Sequence, residues 1–213
     1  MVVKRTKKAA LETIDDARSR AERLFRERGG MLKMAEAVRA GVHRRTLYAL
    51  RDAGVLEQLG RGLYRLADAP PLGNPDLVAV ARRVPRGVVC LLSALAYHGL
   101  TTQIPHEVYL AVPRNAEPPR IDHPPVRVFR VGERAFAEGV EMHELDGVPV
   151  RIYSREKTLA DSFKYRTTVG LDTAVEALRR YRDQGRMDVS ALLRSARACR
   201  VENVMRPYLE ATL

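Results

Sequence analysis

Cysteine is nearly absent from this chain, with only Cys90 and Cys199 among 213 residues, and tryptophan is missing altogether. Two thiols cannot make an all-cysteine zinc site, and neither has a Cys or His neighbour at finger-like spacing. Two buried free thiols are expected instead, in a chain long enough to bury a core without disulfides. No stretch approaches the roughly 20 apolar residues of a membrane span, and the opening Met-Val-Val-Lys-Arg-Thr-Lys-Lys lacks the apolar centre of a signal peptide. The expectation is a soluble cytoplasmic protein with no membrane partner.

Several kinds of chemistry are missing too. There is no Gly-x4-Gly-Lys-Ser/Thr phosphate loop and no Gly-x-Ser-x-Gly elbow. A restriction-type nuclease needs an Asp and then Glu-x-Lys on a neighbouring strand to hold Mg2+ and stabilise charge. Glu141-Met-His and Glu144-Leu-Asp lack the lysine, and Glu156-Lys157 has the wrong spacing. His98, His106, His123 and His143 are scattered without paired spacing, which reads as surface or packed residues rather than a metal site. No catalytic residue, cofactor or metal is assigned, and a protein that is not an enzyme is expected.

What the chain has is positive charge, unevenly placed. Of the formal +11, residues 1–66 hold 16 Lys or Arg against 8 Asp or Glu, whereas residues 67–213 hold 21 against 18. A polyanion partner is therefore expected for the first third. Charge by itself does not separate DNA from RNA or from anionic lipid.

Pattern narrows that choice. Thr6 to Arg28 is helix-forming, with Ala10, Ile14, Ala17, Ala21, Leu24 and Phe25 mostly three or four apart, and stops at Gly29-Gly30. Short helices are expected at Leu32 to Arg39 and His43 to Ala53, then two strands within Val55 to Tyr64 around Gly60-Arg61-Gly62. A helix-turn-helix needs a small residue where its helices cross, a glycine in the turn and apolar residues on the inner face of the second helix. Ala37, Gly41, Val42, Leu47 and Leu50 supply these, with Leu32 and Val38 expected in the same core.

With Leu47 and Leu50 turned inward, the outer face of the second helix carries His43, Arg44, Arg45, Thr46, Tyr48 and Arg51. Arg can donate a bidentate pair to guanine, Thr can meet a thymine methyl, and Tyr or His can reach phosphates or base edges. Arg44, Arg45 and Tyr48 are expected at bases, because the N-terminal half of such a helix enters the groove first. Thr46 and Arg51 are expected at phosphates or flanks. Arg61 at the hairpin tip, with Arg65 beyond it, is expected to contact adjacent phosphates or the minor groove. A solvated basic face and a plain hairpin are the alternatives. Lys4, Arg5, Lys7 and Lys8 form either a DNA-tracking arm or a solubilising tail.

The fold class expected is α+β: a winged helix-turn-helix domain at 1–68, a Pro-rich linker at 69–75 and a mixed α/β domain at 76–213. In the latter, Asp76 to Arg83 and Leu91 to His98 read as helices. Glu107 to Val112, Val126 to Val131, Val140 to Glu144 and Val148 to Tyr153 read as strands, the last two joined at Asp146-Gly147. Helices then follow at Arg155 to Tyr165, Leu171 to Gln184 and Val189 to Leu213, the last interrupted before Pro207. Thr158, Asp161 and Lys164 share one helical face, read as a helix-stabilising network or as a partner surface.

The run Gly-Val-Leu-Glu-Gln-Leu-Gly-Arg-Gly-Leu-Tyr at Gly54 to Tyr64 resembles the wing of AbiEi-type antitoxins. Ser93-Ala-Leu-Ala-Tyr-His-Gly-Leu100 is similar to an early C-terminal helix of that family, and Tyr153-Ser-Arg-Glu-Lys-Thr-Leu-Ala-Asp161 to its strand-to-helix segment. The resemblance spans about residues 31–165. It implies a repressor that binds inverted repeats of double-stranded DNA in its own promoter. It also implies an antitoxin that counteracts a nucleotidyltransferase-like toxin, without necessarily touching it. A one-component regulator sensing a small ligand is the alternative, and a nuclease a third.

Overall fold

The computed structural model describes residues 16–185 and 187–213. Thr6 to Asp15 of the expected first helix, with Ala10 and Ile14, and the basic arm of Lys4, Arg5, Lys7 and Lys8 lie outside the described residues. The chain forms two compact units that divide between Leu72 and Gly73.

The N-terminal unit has a helix at residues 16–27 (α1), strand β1 (Met31–Lys33), helices α2 (Met34–Arg39) and α3 (Arg44–Asp52), and strands β2 (Leu56–Gly60) and β3 (Leu63–Leu66). Its antiparallel sheet has the order β1-β3-β2. Ala21 and Phe25 of α1, Ala37 of α2, Val42 in the turn, Leu47 and Leu50 of α3 and Leu56, Tyr64 and Leu66 of the sheet close one core. Leu32 is in that core, but on a strand rather than on the expected helix: Leu32 pairs with Tyr64, which lets a segment of only three residues satisfy its backbone on a sheet edge. Val38 corrects a second expectation. It is 39% exposed because Ala37 already occupies the helix crossing.

In the C-terminal unit, α4 (Pro75–Arg83), β4 (Val88–Val89) and α5 (Leu91–Tyr97) precede β5 (Val108–Pro113), β6 (Val126–Val131), α6 (Glu133–Ala137), β7 (Val140–Leu145) and β8 (Val148–Tyr153). Helices α7 (Arg155–Lys164), α8 (Arg166–Val169), α9 (Leu171–Asp183), α10 (Val189–Cys199) and α11 (Glu202–Glu210) end the chain. The mixed sheet runs β6-β5-β4-β8-β7, with β4 parallel to β8 and β5 parallel to β6. Tyr109 and Ala111 of β5 face the core made by α5, α7, α9, α10 and α11. Val108, Leu110 and Val112 between and beside them are also buried, so both faces of β5 are covered, and α4 packs on β8 and β5.

Two-residue β4 and short α6 and α8 escape periodicity because each is under about one and a half helical turns or one strand repeat. The last helix is interrupted ahead of Pro207, as expected, but at Arg200 and without the proline as its cause. Arg200 takes the left-handed conformation (φ 57°, ψ 45°), and the Val201 N–H donates to the Ala196 carbonyl, closing α10. Pro207 sits inside α11, where its ring costs one backbone donor.

Candidate nucleic-acid interface

The turn between α2 and α3 is built by backbone hydrogen bonds that the sequence permits at one place. The Gly41 N–H donates to the Val38 carbonyl and the Val42 N–H to the Ala37 carbonyl, a Schellman closure in which Gly41 takes φ +90°. A side chain at residue 41 would be strained in that conformation, while glycine is not. Val42 then drops into the core and sets the start of α3.

Helix α3 is amphipathic in the required sense. Leu47 and Leu50 are fully buried, and His43, Arg44, Arg45, Tyr48 and Arg51 are exposed, with Thr46 half-buried. His43 is the N-cap but caps no N–H with its side chain, and the first turn carries no acidic residue. The helix start therefore presents bare N–H groups and two arginines to whatever approaches, an arrangement suited to phosphate oxygens. Val38, Gly41, Val42, His43, Arg44 and Arg45 line a surface depression of about 350 Å³ there.

The other members of the surface differ in their surroundings. Tyr48 is 42% exposed, and the Arg51 guanidinium lies 5.3 Å from its ring centroid while pairing with Asp52 at 2.7 Å. Part of the Arg51 charge is thus already answered within the helix, which suits a flanking contact better than a base contact. Arg61 is exposed at the tip of the β2–β3 hairpin. The Met34 N–H donates to the Gly62 carbonyl at 2.8 Å, so the hairpin tip is tied to the first residue of α2.

Arg65 departs from its expected role. It is 7% exposed, pairs with Glu57 across the sheet at 2.6 Å, and donates to the Pro70 carbonyl. Its place on β3 opposite both Met31 and Glu57 turns the guanidinium inward, where it ties the chain after β3 to the sheet. Arg65 is accordingly no part of the surface that faces solvent.

The C-terminal unit holds a polar cluster of a different kind. Lys157 is fully buried and donates to Asp161 one helical turn on, and Nζ lies 4.0 Å from the Tyr153 ring centroid. The Cys199 thiol donates to the other Asp161 oxygen at 3.2 Å. Burial, with Asp161 beside it, pushes that thiol up to about 12, and burial also raises Cys90 well above its ordinary range. Both cysteines are buried and free. Thr158 donates to the Tyr153 carbonyl, whereas Lys164 is exposed, so the expected Thr158, Asp161 and Lys164 face is not one surface: its first two members are core. A Cβ at Gly139 would fall 2.6 Å from the Lys157 Cβ, so the close passage of that strand start over α7 requires glycine.

His98 is buried with Nε2 2.7 Å from the Tyr153 carbonyl, and burial lowers its proton affinity. His143 bonds Glu141 at 3.1 Å, and both imidazoles pack on Tyr97. His106 and His123 are exposed. Among the described residues, no group of three or more His, Cys, Asp or Glu side chains is placed to hold a metal ion. No helix among them is long and apolar enough to cross a membrane.

The fold as a whole has a counterpart in the crystal structure of the RV2827C protein from Mycobacterium tuberculosis, with a TM-score of 0.55 and 14% identity. The likeness covers 89% of this chain and 79% of that one. It shows a shared α+β fold. No curated protein matches the sequence. Ser93 to Leu100 and Tyr153 to Asp161 lie beyond the matched family segment, which is N-terminal: residues 19–67, from α1 through the hairpin, match the family of AbiEi antitoxin transcriptional regulators.

Proposed function

We propose that the protein is a cytoplasmic, sequence-specific binder of double-stranded DNA that represses its own promoter, through inverted repeats there, and serves as the antitoxin against a nucleotidyltransferase-like toxin. The observation that carries the DNA reading is the outer face of α3. Five exposed residues suited to groove contacts, His43, Arg44, Arg45, Tyr48 and Arg51, stand on a helix whose opposite face is locked into the core by Leu47 and Leu50. In this proposal Arg44, Arg45 and Tyr48 read bases, Thr46 and Arg51 hold the flanks and Arg61 touches a neighbouring phosphate. The family match over residues 19–67 supports both regulation and the antitoxin role. No residue is assigned a catalytic part.

The test is fluorescence anisotropy with a duplex carrying the inverted repeat upstream of the protein's own reading frame, beside a shuffled duplex at the same salt. Tighter binding to the native duplex by a factor of about 10³ or more is expected for specific recognition. Equal affinity for the two duplexes would overturn the reading. The antitoxin half is tested separately, by whether co-expression restores growth to cells expressing the adjacent nucleotidyltransferase-like gene. No restoration would remove that half alone.

A further inference from the structure

Basic side chains distant in sequence converge on a second place, within the C-terminal unit. A surface pocket of about 360 Å³ is lined by Arg114 from the turn after β5, Arg134 of α6, Lys164 at the end of α7, and Arg197 and Arg200 at the end of α10. Glu133 is the one acid among its lining residues. Arg197 is paired with Glu202 at 3.0 Å. Arg114, Arg134, Lys164 and Arg200 enter no ion pair among the described residues. Elsewhere in this unit Arg180 finds Glu176 and Arg206 finds Glu202. Arg130, Arg155 and Arg179 enter no ion pair among the described residues, but they stand apart from one another in sequence and line no common pocket with these four. The gathering around one concavity is what distinguishes this place. Four unanswered cations around one concavity raise its potential and repel one another, and an anion placed there relieves both effects.

We infer that this pocket binds a polyphosphate group of a small molecule, the group that a nucleoside di- or triphosphate carries. Guanidinium forks match phosphate oxygens two at a time, and three of the four unpaired cations are arginines. The volume is that of a small-ligand site and accepts two or three phosphates. The lining has no aromatic ring on which a base could stack, which single-stranded nucleic acid requires. Recognition therefore rests on the phosphates, with the rest of the ligand outside. This inference does not depend on the DNA reading, since it concerns other residues.

The experiment is calorimetric titration of the full chain with inorganic tripolyphosphate, pyrophosphate and orthophosphate at one fixed ionic strength. Affinity is expected to fall in that order. The double variant Arg114→Gln, Arg134→Gln is expected to weaken tripolyphosphate at least tenfold, while Arg180→Gln on α9, which lines neither this pocket nor the α3 surface, leaves it unchanged. Both substituted arginines are exposed, and an unchanged thermal unfolding transition is the check that the fold is kept. Lys164→Gln serves as the second variant should the double one unfold. No binding of tripolyphosphate, binding unaffected by these variants, or equal loss in Arg180→Gln overturns the inference. It is also overturned if the double variant loses affinity for non-specific duplex DNA while tripolyphosphate never binds, because the pocket is then a nucleic-acid surface.

Discussion

At the residue scale, the strongest commitments are buried rather than exposed. Asp161 answers Lys157 and the Cys199 thiol where all three side chains are buried. Removing one member of such a pair leaves a desolvated charge, whereas replacing both with apolar groups of similar size is mild. Asp161→Ala is expected to destabilise the protein by about 3–5 kcal/mol in urea unfolding, and Lys157→Met with Asp161→Leu by much less. His98 gives a pH signature. Its folded affinity for protons is lowered by burial below the ordinary 6.5, so the unfolded chain binds the extra proton first. Stability from this group is full above pH 6.5 and falls as the pH drops through 6.5 towards the lowered folded value. The stability gap between the parent and His98→Gln should narrow over that window, and a gap independent of pH would refute it. Sequence could name Asp161 and His98 but not their partners: Cys199 reaches Asp161 from 38 positions away, and the Tyr153 carbonyl reaches His98 from 55.

At the scale of elements, the helix-turn-helix was legible because its determinants are local. Ala37, Gly41, Val42, Leu47 and Leu50 lie within fourteen consecutive residues, and each is needed by backbone geometry or by a helix crossing. Strand β1 was not legible, since three residues carry no period and its pairing partner is thirty-odd residues on. Arg65 misled for a related reason: the alternation of a strand says which residues share a face, but not that Glu57 and the Pro70 carbonyl wait on that face. Within the proposed complex, Arg45 on α3 and Arg61 on the wing divide the work. Arg45→Ala is expected to cost about 1–3 kcal/mol on the native operator and little on shuffled DNA, measured by anisotropy. The same loss on both duplexes would show that Arg45 reads no base.

At the scale of the whole molecule, charge distribution was the one global property that composition revealed, and it pointed to the N-terminal third. The proposed binding is then strongly dependent on salt. Each phosphate contact removed lowers the slope of log affinity against log salt by about 0.9. Arg61→Ala should reduce that slope by about 1 on native and shuffled duplexes alike, read from titrations between low and moderate salt. An unchanged slope would place Arg61 away from the phosphates. Composition gave no hint of the basic pocket, because the C-terminal unit is close to neutral overall and its cations are gathered from four separate segments by the fold.

The hydrogen bond from the Met34 amide to the Gly62 carbonyl couples the hairpin tip to the helix pair before any DNA arrives. With β1 stitched to β3 beside it, the base of the wing shares the core that orients α3. Little ordering entropy is left to be lost on contact. Encounter rates should therefore follow electrostatic attraction rather than the folding of a loop, and a mispositioned phosphate should be rejected as fast as it is met.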